Sequence, residues 1–409
     1  MNKIIILLIF VCLTLPVPAQ SSSTYTRSGM GDIEYSYSAR RLGMGQLGVS
    51  VADEDFINSL NPAGWYKLTK TRIEFGLYYN GMFLSDNNKS GYFAETEFSG
   101  FTIAFPVSEL YGIGIAAGLV PFSRVSYDVE QTFYTDDPYQ LSYQGSGGLT
   151  KLFVGTSYKL PFGLIVGASL DYYFGNLKYK SRIEFLQSAN SFAEYENTYR
   201  PETIGATFGF ISPDISSLID SEKVTDLRFG GSLSYLGTAD IDSVLMATSS
   251  TGSDTINYGK TTADIPLRLS LGLNAIFNEA YLLSLDYTYQ PWGDYKIGGV
   301  NQPGLRNSHK FSLGFEYKPV KQQANFWEQI ILRAGLSFEN TQYLVNNEGI
   351  NEYSVSGGLS LPISYENTLD LGVLFAMRGT TDSGLIRENI IRLSLGISFG
   401  ELWFVRRNN

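Results

Sequence analysis

Arg72-Ile73-Glu74-Phe75-Gly76-Leu77-Tyr78-Tyr79 alternates without a break: Ile73, Phe75, Leu77 and Tyr79 share one face, and Arg72, Glu74 and Gly76 share the other. Successive side chains of an extended chain point to opposite sides, so this is a β-strand with one apolar and one polar or small face. The pattern returns in Ile265, Leu267, Leu269, Leu271 and Leu273, opposed by Arg268, Ser270 and Gly272. It returns again in Ile391, Leu393, Leu395, Ile397 and Phe399, opposed by Arg392, Ser394, Gly396 and Ser398. About fourteen such segments can be counted by this periodicity. They centre near Phe75, Ile103, Ile115, Val154, Val166, Phe208, Leu233, Leu269, Leu285, Leu313, Leu332, Leu359, Val373 and Leu395.

The links between them alternate in length. Residues 107–111, 159–163, 278–280 and 362–367 are short, whereas 85–91, 126–148, 175–201, 237–263 and 290–308 are long and polar. Tight turns at one end and long loops at the other are the rhythm of an outer-membrane barrel. Residues 212–225 are long where a short turn is due, and a small periplasmic helix is the expected filler. An even strand number brings the C-terminus back to the side of the N-terminus, and the aromatic ending Phe399, Trp403, Phe404 suits an interfacial girdle. The expected fold is therefore all-β: a transmembrane antiparallel up-and-down barrel over residues 71–409.

Composition agrees. Of 409 residues, 14 % are aromatic, with 42 Gly, 28 Tyr and 26 Phe, and only 17 % are charged. No apolar run long enough for a helical membrane span follows the N-terminus, whereas alternate lipid-facing residues need none. Residues 1–19 read as a cleaved signal peptide, with Lys3, an apolar stretch from Ile4 to Leu15, and Val17-Pro18-Ala19. The single cysteine, Cys12, lies within it, which leaves no thiol for disulfide, metal or nucleophile. A net charge of −10 argues against nucleic acid as a partner.

Residues 20–70 are different in kind. After a Ser/Thr/Tyr-rich lead-in, the stretch 38–65 is rich in small residues and closes on Asn61-Pro62-Ala63-Gly64. Its apolar residues fit short turns and coil, and Pro62 with its Asn, Asp and Gly neighbours forbids a long helix. A segment of this kind ahead of a barrel is expected to fill the lumen as a hatch. Gly43, Gly45 and Gly48 would let it pack closely, Asn61 would hydrogen-bond to wall or hatch backbone, Pro62 would set the turn, and Ala63 would permit close approach.

Motifs for chemistry are absent in context. Gly43-Met44-Gly45-Gln46-Leu47-Gly48 spells G-x-G-x-x-G, but Asp53, Glu54, Asp55 and Pro62 interrupt the helix a dinucleotide site needs. Gly396-Ile397-Ser398-Phe399-Gly400 spells G-x-S-x-G in mid-strand with no later histidine. His309 and Ser308 are adjacent, so they face opposite ways and cannot pair with one another. Asp136, Asp137, Asp240 and Asp242 read as solvated loop charge. No enzyme activity, cofactor or metal is expected. Gly112, Gly114 and Gly118 leading into Val120-Pro121-Phe122 predict a kink in the third strand, because proline cannot donate to a ladder. Gly118, Pro121 and Phe122 are thus the candidates for that kink, and the residues alone leave open whether it opens the wall or merely bends it.

The Gly43-Met44-Gly45 run, the Ala52-Asp53 step and above all Asn61-Pro62-Ala63 resemble the hatch of the FadL family of outer-membrane transporters. The related PorV-type barrels share these and the ending Phe399-Gly400-Glu401-Leu402-Trp403-Phe404 followed by Arg406 and Arg407. The resemblance covers roughly residues 38–75 and the last strand. It implies a monomeric, hatch-plugged barrel in the bacterial outer membrane, amid lipopolysaccharide. Such a barrel would admit hydrophobic small molecules, of the long-chain fatty-acid kind, and release them sideways at the kinked strand. The PorV-type alternative is a docking component for secretion-system proteins or surface attachment.

Overall fold

The computed structural model describes residues 23–401 apart from 188–190, 220, 222, 320–324 and 365. The expected signal peptide with Cys12, and the tail from Leu402 with Trp403, Phe404, Arg406 and Arg407, lie outside the described residues. The strands in chain order are β1 (Asp32–Ile33), β2 (Thr71–Ser85), β3 (Ser90–Ser108), β4 (Ile113–Phe133), β5 (Tyr139–Lys159), β6 (Ile165–Phe185) and β7 (Phe192–Ile211). Then follow β8 (Val224–Tyr235), β9 (Thr238–Ser249), β10 (Gly252–Asp264), β11 (Arg268–Phe277), β12 (Tyr281–Gln290), β13 (Lys296–Ile297) and β14 (Val300–Asn301). The last are β15 (Ser308–Tyr317), β16 (Ile331–Val345), β17 (Glu348–Pro362), β18 (Thr368–Arg378) and β19 (Arg387–Glu401).

All nineteen belong to one sheet, and β19 pairs back onto β2 from Arg387↔Ser85 to Glu401↔Thr71, which closes it. Setting aside β1, β9, β10, β13 and β14, the ring itself has fourteen strands, and each expected centre falls on one of them. The alternation sorts as the periodicity implies. Phe75, Leu170, Ile204, Leu285 and Phe311 are exposed on the outside, whereas Arg72, Glu74, Asp286 and Lys310 are buried in the lumen. An apolar outer belt with polar groups inside is stable only where lipid surrounds it. Among the described residues no helix is long and apolar enough to cross a membrane; the crossing is made by strands.

Ile265 leaves the outer face predicted for it and joins an inner apolar cluster, because the chain breaks at Pro266 between β10 and β11. The 212–225 link carries the expected small helical turn, at Ser216–Leu218.

The expected long loops are the main correction. Residues 85–91 form a tight turn, and most of 126–148, 175–201 and 237–263 is strand. β4, β5 and β6 each run 21 residues and β7 runs 20, against 10 for β11, β12 and β15. The reason lies in the outward face. Along β6 it reads Leu170, Tyr172 and Phe174, then Lys178, Lys180, Arg182 and Glu184. Period two persists, but above the lipid the outer face turns charged, so a reading keyed to apolar alternation takes it for loop. The barrel wall thus rises on one side as a crest of β4–β5–β6–β7–β9–β10, with β9 taking over from β8 beside β7.

Candidate functional site: the plugged lumen and the seam in its wall

Residues 38–70 fold inside the ring as helix α1 (Ala39–Gly43), coil, and a 3-10 turn at Pro62–Lys67. Asn61 caps that turn: its side-chain oxygen accepts from Ala63 N at 3.0 Å. Its Nδ2 donates to Val49 O within the plug at 3.0 Å and to Phe210 O of β7 at 3.1 Å. Ala63 is fully buried, and Pro62 supplies the fixed φ of the first turn position. Two glycines are demanded by geometry. Gly45 has φ +74°, donates to Ser356 Oγ and accepts from Ser312 Oγ at 2.7 Å, with its backbone against Gly335 of β16. Gly48 has φ +113° and its carbonyl receives Arg41 Nη1 at 2.8 Å. Gly43 meets the backbone of Gly358 on β17.

The wall grips this plug through ion pairs that no local motif announces. Arg40 of α1 is 1 % exposed and bonds both Glu316 oxygens (2.8 and 2.7 Å) and Asp53 (2.9 Å). Arg333 of β16 donates to the same Glu316 at 2.7 Å and to Ser360 at 2.6 Å. Lys318 reaches Asp55 at 2.8 Å, and Arg72 also pairs with Asp55. Glu74 of β2 accepts from Ile57 N at 2.7 Å and Tyr37 Oη at 2.5 Å, and Asp286 of β12 accepts from Val49 N at 2.7 Å. Burial pushes the Asp53 carboxyl up, but Lys318 and Arg40 override it and hold it well below the usual carboxylate range. Arg41, buried beside Arg40 and bonded chiefly to carbonyls, is pushed down to about 10 and stays cationic at neutral pH. The signal for these contacts in the sequence is charge on the lumen-facing register, at Arg72, Glu74, Asp286, Glu316 and Arg333. A charge there must be paired once buried.

The upper lumen is also occupied. The lead-in contributes Met30 to a cluster with Phe122, Tyr173, Trp292, Tyr295 and Leu305. The cavities that remain are small: about 60 Å³ among Glu34, Gln46, Lys310, Glu339, Glu352 and Arg378, and about 40 Å³ beside Leu60, Pro121, Phe122 and Tyr173. An apolar cavity that admits benzene has about 150 Å³.

The third barrel strand holds the irregular feature. The β3–β4 ladder runs from Ser108↔Ile113 only to Phe101↔Leu119, although both strands continue. Gly118 is the last residue but one of that ladder on β4. Pro121 follows it, and the β4–β5 register shifts between Pro121 and Ser123, leaving Phe122 as the extra residue. Above this point β3 and β4 part, and the lead-in lies along the free edge of β4. Asp32 pairs with Arg124, Ile33 with Ser123, and Glu34 N donates to Phe122 O at 3.0 Å. Arg124 bridges the gap to Glu95 at 2.6 Å and also pairs with Glu97. The lead-in is tied across the lumen as well, Asp32 to Arg378 and Glu34 to Arg392, both at 2.8 Å.

The other motifs lie apart from this. His309 Nδ1 is 2.9 Å from Tyr287 Oη on the outer face, whereas Ser308 is buried and bonds Gln290 O. Ser398 sits mid-strand and donates to Asp55 O of the plug. Asp136 and Asp137 lie in the β4–β5 turn, and Asp240 and Asp242 lie along β9.

A closed fourteen-stranded ring, a lipid-facing belt and an N-terminal segment bonded inside the lumen define a plugged barrel of the outer-membrane type. The family profile BamG matches residues 1–409, and the chain belongs to that family. The Ralstonia pickettii toluene transporter TbuX is similar in fold, with TM-score 0.58 and 15 % identity over 90 % of this chain and 99 % of that one. So is the P. putida toluene transporter TodX, with TM-score 0.60 and 15 % identity over 92 % of this chain and 100 % of that one. A Pseudomonas aeruginosa FadL homologue gives TM-score 0.60 and 11 % identity over 90 % and 99 % of the two chains. The FadL-like resemblance seen in the sequence therefore stands at the level of fold. No curated protein matches the chain.

Proposed function

We propose that this chain is a shut outer-membrane barrel that works from its external rim, as a docking component for protein partners in secretion or surface attachment. The observation that carries this reading is the bolted lumen. Arg40, Glu316 and Arg333 form one fully buried ionic chain between plug and wall, and the mouth above it is packed with the barrel's own apolar side chains. Removing one member of a buried ion pair costs about 3–5 kcal/mol, so the plug is held against displacement. The lipid-facing belt would keep the barrel in the outer membrane, with lipopolysaccharide around its outer rim.

A second reading is diffusion of hydrophobic small molecules, of long-chain fatty-acid type, with lateral exit at the third strand. What favours it is the parted β3–β4 seam beside Pro121, next to an apolar cluster that contains Phe122. Solved structures of similar fold carry toluene or monoaromatic hydrocarbon transport in their names. An apolar solute gains about 25 cal/mol per Å² on leaving water, so a wall gap would be a sufficient path to the bilayer. Uptake of a labelled fatty acid into proteoliposomes separates the two. The docking reading expects uptake no faster than in empty vesicles, for the native chain and for Pro121→Ala alike. Uptake by the native chain that Pro121→Ala alters would replace it with the transport reading.

A further inference from the structure

The crest is a six-stranded sheet with two unlike faces. Its outward face carries Asp128, Glu130, Lys178, Lys180, Arg182, Glu184, Glu194 and Glu196, laddered by pairs such as Lys180–Glu196 at 3.0 Å. From β4 to β9 its inward face, read across the register, has no charged residue; the one charge on this face is Asp254 at the β10 edge, opposite Ala247. One row is Val129, Tyr143, Ser181, Tyr195 and Ala247; the next is Gln131, Leu141, Ile183, Ala193 and Ser249. Phe133, Tyr139 and Phe185 close the tip, with ring centroids 4.9 and 6.3 Å apart. Lower down, Tyr127, Tyr179 and Tyr199 join this face to the apolar cluster that fills the mouth. Tyr143 and Tyr195 are 41 % and 52 % exposed.

In an amphipathic sheet the apolar face is the one that seeks cover. Here the orientation leaves it overlooking the closed mouth. The free stretch is about 25 Å tall at 3.3 Å per residue and about 25 Å wide at 4.8 Å per strand. That is the scale of one side of an ordinary protein interface, about 800 Å². Uncharged, tyrosine-rich surface with interspersed hydroxyls and amides is the composition of an interface core. A second copy in the same membrane is excluded as occupant by geometry: each crest faces its own barrel axis, so two neighbouring copies cannot bring inner faces together.

We propose that the inner face of the crest is the docking surface, and that its occupant is an external protein seated over the plugged mouth through an uncharged apolar and aromatic patch. This rests on the docking reading above and locates it. A small apolar ligand fits less well, because the face is broad and shallow and the cavities beneath it are small and enclosed by the barrel's own side chains.

The test uses the full-length protein in living cells. A photo-crosslinking amino acid, p-benzoylphenylalanine, replaces Tyr143 or Tyr195 on the inner face, Glu130 or Lys178 on the outer face, and Asp136 at the crest tip. The expected result is one discrete protein adduct from Tyr143 and Tyr195 and none from Glu130 or Lys178. Introducing Tyr195→Glu beside the crosslinker at Tyr143 should lower its yield by about tenfold or more, since a desolvated, unpaired carboxylate opposes binding. Heat-modifiable migration on gels confirms that each variant is folded. Protein adducts confined to the outer face or the tip would overturn the inner-face assignment and leave the docking reading standing. Protein adducts at no position would overturn both. An inner-face adduct whose mass is that of a lipid or small molecule would overturn the assignment in favour of ligand capture.

Discussion

The lumen and the crest belong to one continuous sheet and solve opposite problems. Inside the ring, Arg40, Asp53, Glu316 and Arg333 are removed from water, so every charge needs a partner on a different element. On the crest, Lys180 and Arg182 stand in water and share Glu194 and Glu196 with their strand neighbours. Ion pairs of similar length therefore differ in what they do. Those in the lumen hold the plug in place, because separating them leaves a charge buried alone. Those on the crest mainly keep its outer face soluble and its edges unattractive to other sheets.

Substitutions should widen or collapse this contrast. The largest effect is expected for Arg333→Ala, which strands Glu316 between Arg40 and an empty site. A loss of about 3–5 kcal/mol is expected, read as a lower temperature for the heat-modifiable shift in detergent and as new protease cuts within residues 38–70. An unchanged transition would mean that the plug is not held by this network. Asn61→Ala comes next, since Phe210 O, Val49 O and Ala63 N all lose a partner. About 1–3 kcal/mol is expected for the unsatisfied buried groups, and Asn61→Asp, which keeps the acceptor for Ala63 N, should recover only part of it.

Arg124→Ala addresses the seam. Without the bridge to Glu95, amide exchange should quicken in β3 from Glu95 to Phe98 and in β4 near Val125, while the β4–β5 ladder stays protected. Equal quickening on both sides of β4 would show that the seam is no weaker than the rest of the wall. The smallest effect belongs to the crest. Lys180→Ala should cost less than about 1 kcal/mol, because the pair is exposed and screened. Its pH dependence has a defined sign. The hydrogen bond from Lys180 holds the Glu196 carboxyl below its ordinary value. Its contribution is complete above the ordinary carboxylate range and disappears as pH falls through the lowered value. Crest amides measured at pH 7 and pH 3 should therefore differ slightly more in the native chain than in Lys180→Ala.

Much of the fold is legible in the amino-acid order alone. Fourteen strand centres, the closed antiparallel ring and a compact N-terminal segment follow from a period of two, the link rhythm and one break in composition. Pro121 likewise marks the irregular strand. The plug's fastening is harder to see. Arg40 and Glu316 are 276 residues apart, and nothing local says that they meet. The crest escapes a reading by apolar alternation because its strands exchange an apolar outer face for a charged one where the lipid ends, and residues 178–184 then resemble a polar loop.

The sequence by itself determined what each strand presents to its two sides, because alternation is a local property of an extended backbone. Only the tertiary structure decided which side is which. Ring closure turns one face of every strand inward, so Arg72 and Arg333 become plug contacts while Leu170 and Leu285 become lipid contacts. The same closure, carried upward on one side alone, leaves the crest face whose single charge is Asp254 at the β10 edge looking over the mouth. Strand alternation encodes both faces; curvature and the height of the membrane assign them.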